Sequence, residues 1–372
     1  MKPTVKRYLS LDILRGLTVA LMIVVNNPGS WSKTYPMLSH AKWDGCTPCD
    51  LVFPFFLFCV GVSMAFALAR YGSLDAGALK KIFRRGCLLY LVGLLLTAFP
   101  FYPAEKDPSL SFWQNWVNWL GNLRLVGVLP RIAMCYVTAS VLALWLRSFK
   151  KIVCAIGVLC ALHVGILLLF AGPEGAFTLE GNFASKMDVA VFGESHIYHG
   201  YGVPFDPEGL LGVLTGTCTV LVGYLIGQSV RKDISCAAVT VSAKTFVISA
   251  GLLLGGLILS IWIPINKPLW SVSYVFYAAG WASFVLALLI YLIDYKGWEK
   301  PFFPFKALGM NALALFVLSG LLMKIIWRYI GWDYPAIFGT TEFLSLVYAL
   351  MYLSVHLVIA VILYKKKIFI KL

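Results

Sequence analysis

Charge is what this sequence has least of. Of its 372 residues only 13% are Asp, Glu, Lys or Arg, against about a quarter in an ordinary soluble domain, while 60% are hydrophobic and the mean hydropathy is +0.82. That shortage excludes a soluble globular protein. Acidic residues are the scarcer sign, 17 against 31 basic ones, for a net charge of +14. The chain also has no connector long enough for a soluble domain, no low-complexity tract and no strong internal repeat, so the inverted repeats of many secondary transporters are missing. His196 and His199 have no third ligand nearby in sequence, and no metal site is expected.

What is there is apolar sequence in lengths of about 20 residues, enough to cross a hydrocarbon core of about 30 Å as a helix. Ten spans are expected, near 10–27, 50–70, 82–100, 125–146, 152–171, 209–228, 245–264, 272–293, 306–326 and 342–364. The third begins with Arg84 and Arg85 and is the least regular. The fold class is therefore all-α, a polytopic integral membrane helical bundle forming one domain over 1–372. Asp12 and Arg15 interrupt the first span and no small-residue cleavage site follows it, so it reads as a retained helix rather than a signal peptide.

Lys and Arg concentrate in the segments 2–7, 70–85, 147–151, 231–244, 296–306 and 365–371, which hold 21 of the 31. An even number of spans with both termini cytoplasmic places all of these on the cytoplasmic side. The basic charge is then topology, spread over six segments rather than gathered into a stripe, and nucleic acid is not an expected partner. The longest connectors, 28–49, 101–124 and 172–208, fall on the external side, where structured loops of such length tend to carry function. In the second of them Trp113, Trp116 and Trp119 recur at three-residue spacing, as in an amphipathic helix, which can anchor at the interface or stack a Trp on a sugar face.

Ionisable groups inside spans are costly and usually mark a site. Asp12 and Arg15 lie three apart on one helix face and can pair, or Arg15 can bind an anion. Asp50 opens the second span, as a helix cap or as a carboxylate orienting a catalytic group. Arg131 follows Pro130 at the start of the fourth span, where it can snorkel to the interface or bind an anion from within the bundle. Asp206 and Glu208 precede the sixth span and can cap it or hold a cationic amine. His40 lies in the first external connector between Asn26 and Asn27 upstream and Trp43, Asp44 and Asp50 downstream. Folding of that connector onto the bundle would unite imidazole, amide and carboxylate. Cys46 and Cys49 form a C-x-x-C, which opens a thiol-redox reading, although no thioredoxin-like βαβ pattern surrounds them.

The stretches "LSLDILRGLTVALMIVVNNPGSW" and "LSHAKWDGCTPCDLVFPFFLFCVGVSM", followed in order by "GVLPRIA", "FDPEGLLG", "IPINKPLWSVSYV" and "LGMNAL", resemble the heparan-alpha-glucosaminide N-acetyltransferase family over nearly the whole chain. The resemblance implies acetyl transfer from cytosolic acetyl-CoA, a co-substrate, to the amine of a glucosamine-type sugar across the membrane. It implies His40 as the catalytic histidine and Asn26 as its companion asparagine, and Arg131, Asn266 and Trp270 as matched positions in the cofactor region. Trp43, Asp44, Asp206 and Glu208 are then candidate sugar contacts. It further implies a homodimer among membrane lipids, in a bacterial inner membrane, with the site toward the periplasm. The C-x-x-C departs from the family pattern, and so does the missing counterpart of the lysosomal member's N-terminal luminal domain and first span.

Amide formation needs a base for the ammonium of the acceptor, and a histidine titrating near neutrality suits this. In this expectation His40 is that base or a transient acetyl acceptor, Asn26 donates to the oxyanion, and Asp50 holds the imidazole. Arg15, Arg131 or the 80–85 segment would bind the coenzyme phosphates. Arg131→Ala is then expected to weaken acetyl-CoA binding. The competing reading is a permease for an amino sugar or lipid-linked sugar, which would show counterflow without acetyl-CoA.

Overall fold

The computed structural model describes residues 8–103, 107–233 and 236–370, and its regular elements are helical. Lys2, Lys6, Arg7 and Lys371, used in the orientation argument, lie outside the described residues. The helices are α1 (Leu9–Asn26), α2 (Val52–Ala67), α3 (Ala76–Ala98), α4 (Phe112–Gly121), α5 (Val128–Leu146), α6 (Phe149–Leu169), α7 (Phe183–Phe192) and α8 (Leu211–Lys232). They continue with α9 (Ala238–Leu259), α10 (Val272–Leu289), α11 (Phe303–Met310), α12 (Ala312–Ile325), α13 (Tyr334–Phe338) and α14 (Glu342–Lys365). Among the described residues nine helical stretches are long and apolar enough to cross a membrane. The expected third span is present as α3, 23 residues long, and its four basic residues Lys80, Lys81, Arg84 and Arg85 set it apart from those nine.

The bundle core is built from α1, α2, α5, α8 and α10, which bury most of their side chains. The helices α6, α9, α12 and α14 present apolar residues such as Leu169, Val247, Leu254 and Val358 outward, as lipid-facing helices must. Hydrophobicity cannot hold two helices together in lipid, so close packing has to. Gly16 of α1 lies on the backbone of Phe305, and Gly309 of α11 lies on the backbone of Asp12, leaving no room for a Cβ at either place. Between α2 and α8 the same device uses Gly61, Gly223 and Gly227. The free amides at the start of α1 are satisfied across the bundle, where the Asp294 carboxylate accepts from Leu9 N at 3.0 Å and Ser10 N at 3.4 Å.

The expected ninth span, 306–326, is two helices. Asn311 leaves helical geometry between α11 and α12, and its side chain bonds the C-terminal segment, donating to Ile368 O at 3.0 Å and accepting from Ile370 N at 2.8 Å. Broken backbone at membrane depth is tolerated where protein or a cavity receives it. Here a cavity of about 300 Å³ does so, lined by Gly309, Met310, Ala312 and Leu313 at the break and by Phe56, Cys59, Val60 and Ser63 along one face of α2. Gly309→Val forces α1 and α11 apart, an overpacking cost of about 1–3 kcal/mol. The expected result is a lower thermal midpoint in detergent than for Gly320→Val, since a Cβ at Gly320 meets only a flexible Leu96 side chain.

Candidate active site

The connector between α1 and α2 is folded rather than loose. Pro36–Leu38 forms a 3-10 turn, and Pro48–Leu51 forms a second one that leads into α2. Thr47 caps the second turn, its hydroxyl accepting from Asp50 N at 3.4 Å and donating to Ser39 O at 2.7 Å. Asp50, which is 1% exposed, closes a capping box with one oxygen: Oδ2 accepts from Thr47 N and Ala41 N, both at 3.0 Å. Its other oxygen, Oδ1, lies 2.7 Å from His40 Nδ1. The two roles expected of Asp50 as alternatives, cap and orienting carboxylate, are thus performed by different oxygens of one side chain.

A buried carboxylate only accepts, so the proton between the pair belongs to Nδ1 and the lone pair of His40 lies on Nε2. The His40 side chain is 48% exposed against 1% for Asp50. The imidazole is therefore held from behind and open in front. Two groups flank it. Cys49 Sγ is 3.3 Å from Nδ1, and Lys267 Nζ is 2.9 Å from Nδ1, 3.2 Å from Nε2 and 3.4 Å from Asp50 Oδ1. Cys46 and Cys49 are both free thiols, and burial first, then the nearby Asp50 charge, pushes the Cys46 thiol up to about 12. A thiol so raised is a poor redox nucleophile.

Lys267 arrives from the connector between α9 and α10, which is joined to the His40 connector by main-chain bonds. Gly45 N donates to Ile265 O at 2.7 Å, and Asn266, fully buried, donates from Nδ2 to Trp43 O at 3.2 Å and Asp44 Oδ1 at 3.1 Å while Oδ1 accepts from Leu269 N at 2.7 Å. Sequence reasoning named the neighbours of Lys267 and passed over it, although it stands in the same "NKPLW" stretch. The available signal was a lysine on the external side, where basic residues are few.

The remaining expected site residues divide by what surrounds them. Asn26 ends α1, is exposed, and makes none of the hydrogen bonds of the His40 cluster. Trp43 donates from Nε1 to Phe177 O at 2.8 Å and packs edgewise on Tyr201 and Phe205, tying the first external connector to the third. Trp270, buried and at φ 53°, donates to Thr219 Oγ1 at 3.1 Å and lies against Phe53 and Tyr274. The Arg131 guanidinium stacks 4.8 Å from the Trp270 ring centroid and donates to the carbonyls of Pro207 and Gly209. Arg131 is 1% exposed. It does not snorkel, and its bonds hold the 205–210 connector.

Asp206 and Glu208 were expected to cap a helix or hold an amine. Instead both receive Arg124, through Nε and Nη2 to Asp206 at 2.8 and 2.6 Å and through Nη2 to Glu208 at 2.5 Å. Asp206 also accepts from Tyr198 N and Glu208 N, so neither of its oxygens is left for a sugar amine. Burial opposes the charge of Arg124, but the bonds to both carboxylates outweigh it and raise its pKa. His196 and His199 are spent on the carbonyls of Leu123 and Glu194.

Nearer the basic residues, the 300 Å³ cavity is lined by Arg15, Ser63, Arg85 and Tyr136. Arg15 pairs with Asp12 at 3.7 Å, as its spacing implied, and also donates to Ser63 Oγ at 3.2 Å and Gly309 O at 3.4 Å. A second hollow of about 310 Å³ shares Arg85 and Tyr136 and adds Arg70, Lys81 and Arg84. Five cations thus ring two adjoining hollows. The lining residues Phe56 and Ser63 place the first hollow about 9 to 20 Å along the α2 axis from Asp50, at 1.5 Å per residue.

The fold and the site define a polytopic membrane protein with an Asp–His pair at one end of its bundle and a cationic cavity toward the other. Comparison with known proteins shows what the chain is similar to. The model of the family described as "Heparan-alpha-glucosaminide N-acetyltransferase, catalytic" matches residues 7–183. Over 426 aligned positions covering 98% of the chain, it is 26% identical to the human heparan-alpha-glucosaminide N-acetyltransferase, and over all of it 26% identical to the mouse one. The similarity seen in the motifs extends along the whole chain, which spans 60% and 61% of the lengths of these two relatives.

Two outcomes test the geometry. Arg131→Ala strands two buried carbonyls and an aromatic face, a loss of about 1–3 kcal/mol, so the expected effect moves from acetyl-CoA affinity to a lower unfolding midpoint. Asp188 of α7 is fully buried, accepts from Leu210 N at 2.9 Å, and has an unpartnered Oδ2. Burial, with Asp206 nearby, pushes its carboxyl up to about 7, whereas in the unfolded chain it titrates near ~3.9. The folded state therefore holds the extra proton in the interval between, and Asp188 makes the fold less stable as pH rises through it. Asp188→Asn should flatten that fall, matching wild type near pH ~4 and exceeding its midpoint above pH ~7.

Proposed function

We propose that this protein transfers the acetyl group of acetyl-CoA to the amine of a glucosamine-type sugar, with His40 as general base. The observation that carries the reading is the Asp50–His40 pair, in which a buried carboxylate fixes Nδ1–H and leaves the lone pair on Nε2 of a half-exposed imidazole. An acceptor ammonium bound at Nε2 gives up one proton to it, its nitrogen attacks the thioester carbon, and the C–S bond breaks as the second nitrogen proton passes to the departing coenzyme A thiolate. Asp50 stabilises the imidazolium formed on the way, the part a carboxylate plays in comparable triads. The names of the relatives support the donor and acceptor chemistry.

Coenzyme A is polyanionic, and two adjoining hollows at the basic end are rimmed by Arg15, Arg70, Lys81, Arg84 and Arg85. In this proposal they hold its phosphates, and the pantetheine arm follows the α2 face from Ser63 past Phe56 toward Asp50. The basic end is then cytoplasmic and the His40 end external, in agreement with the distribution of Lys and Arg.

Radiolabelled acetyl transfer to glucosamine by purified protein in detergent tests the reading. His40→Ala should lower turnover by about 10²–10⁴-fold with an unchanged unfolding midpoint. Arg85→Ala should raise the KM for acetyl-CoA roughly tenfold, the loss of one charge-assisted bond, with little effect on the KM for the sugar. Retention of full activity by His40→Ala removes histidine base catalysis, and an unmoved KM in Arg85→Ala removes the cationic hollows as the coenzyme site.

A further inference from the structure

A primary amine of the protein already stands against the imidazole to which the acceptor amine has to come. The lone pair of His40 is on Nε2, because Nδ1 carries the proton bonded to Asp50. Lys267 Nζ lies against the ring, 2.9 Å from Nδ1 and 3.2 Å from Nε2, with Asp50 Oδ1 at 3.4 Å. An alkylammonium beside the base nitrogen and a carboxylate has the neighbours the sugar ammonium is expected to meet. The Lys267 side chain is 15% exposed, so it is screened from bulk water yet opens on the same face as His40.

Its placement is not the swing of a free surface lysine. The bonds of Asn266 to Trp43 and Asp44, and of Gly45 to Ile265, fix the backbone on both sides of the contact. Nor do other lysines share the position. Lys33 and Lys42 stand in the same connector as His40, and among the described residues the lysine contacts of its ring are to Lys267.

We infer that Lys267 is a site of self-acetylation, filled when acetyl-CoA is bound and no acceptor sugar is present; the inference rests on the transferase reading above. The Nζ–C(acetyl) bond forms and the C–S bond of the thioester breaks. Of the two protons the ammonium loses, one passes through His40 Nε2 to water and the other ends on the departing coenzyme A thiol. The product is a neutral amide that does not return the acetyl group, and it removes the cation from Asp50. Acetylation at Lys267 therefore stops the site, and acceptor sugar, by displacing Nζ from Nε2, protects it.

The test is incubation of the purified full chain with isotopically labelled acetyl-CoA, with and without glucosamine, followed by peptide mass spectrometry and by assay of acetyl transfer to the sugar on the same preparation. The expected result is label on Lys267 up to a single acetyl group per chain, suppressed several-fold by glucosamine, abolished in His40→Ala, and absent from position 267 in Lys267→Arg. Transfer to the sugar with no label on Lys267 overturns the inference and leaves the transferase intact. Equal labelling of Lys267, Lys33 and Lys42, or labelling that survives His40→Ala, marks uncatalysed chemistry and overturns it as well. Neither transfer nor label overturns the transferase reading and this inference with it.

Discussion

One carboxylate organises the end of the bundle where the chemistry is proposed. Asp50 sits in the 3-10 turn that leads into α2, with its main chain inside the core, where its carbonyl accepts from Tyr274 OH at 2.6 Å. One side-chain oxygen closes the loop 41–47 on itself and the other reaches His40. A buried charge is affordable only when paired and hydrogen-bonded, and Asp50 meets that condition with the imidazole as one of its partners. The loop conformation and the histidine orientation are thereby a single interaction. Removing the charge would release both together.

Around this point the external connectors are fastened to each other rather than to the lipid. Trp43 binds the 172–208 connector, Asn266 binds the Trp43–Asp44 backbone, and Arg131 binds the 205–210 segment while resting on Trp270. Residues whose types suggest ligand binding are in this way used to make a rigid rim. A site displayed on loops gains precision when the loops are cross-braced by buried polar contacts. Trp43, Asp44, Arg131, Asn266 and Trp270 make that bracing, and the more open groups are His40 and, more narrowly, Lys267.

The spans were legible because hydrophobic length is a one-dimensional property. Among the described residues nine helices of spanning length and apolarity, with α3 as a further long helix, lie near the ten expected spans, and the differences lie where side chains act at a distance. Asn311 breaks the ninth span because its amide finds partners in Ile368 and Ile370, some 57 and 59 positions along the chain. The i, i+3 pairing of Asp12 with Arg15 followed from helical spacing, as did the closeness of His40 to Asp50 from their shared connector. The pairing of Arg124 with Asp206 and Glu208 did not, because it joins two connectors separated by more than 80 residues. Lys267 escaped notice for the same reason.

The break at Asn311 has a consequence for how the cavity can change over evolutionary time. Where α11 ends, the hollow is lined by Gly309 and Met310, and the Gly309 carbonyl is already a hydrogen-bond acceptor for Arg15. A carbonyl belongs to every residue type, so substitution can alter the width of the lining there but not erase its polarity. The guanidinium groups of Arg15 and Arg85 have no such insulation. Drift in ligand preference is therefore expected to pass through the basic side chains on α1 and α3, while the acceptor supplied by the broken helix stays constant.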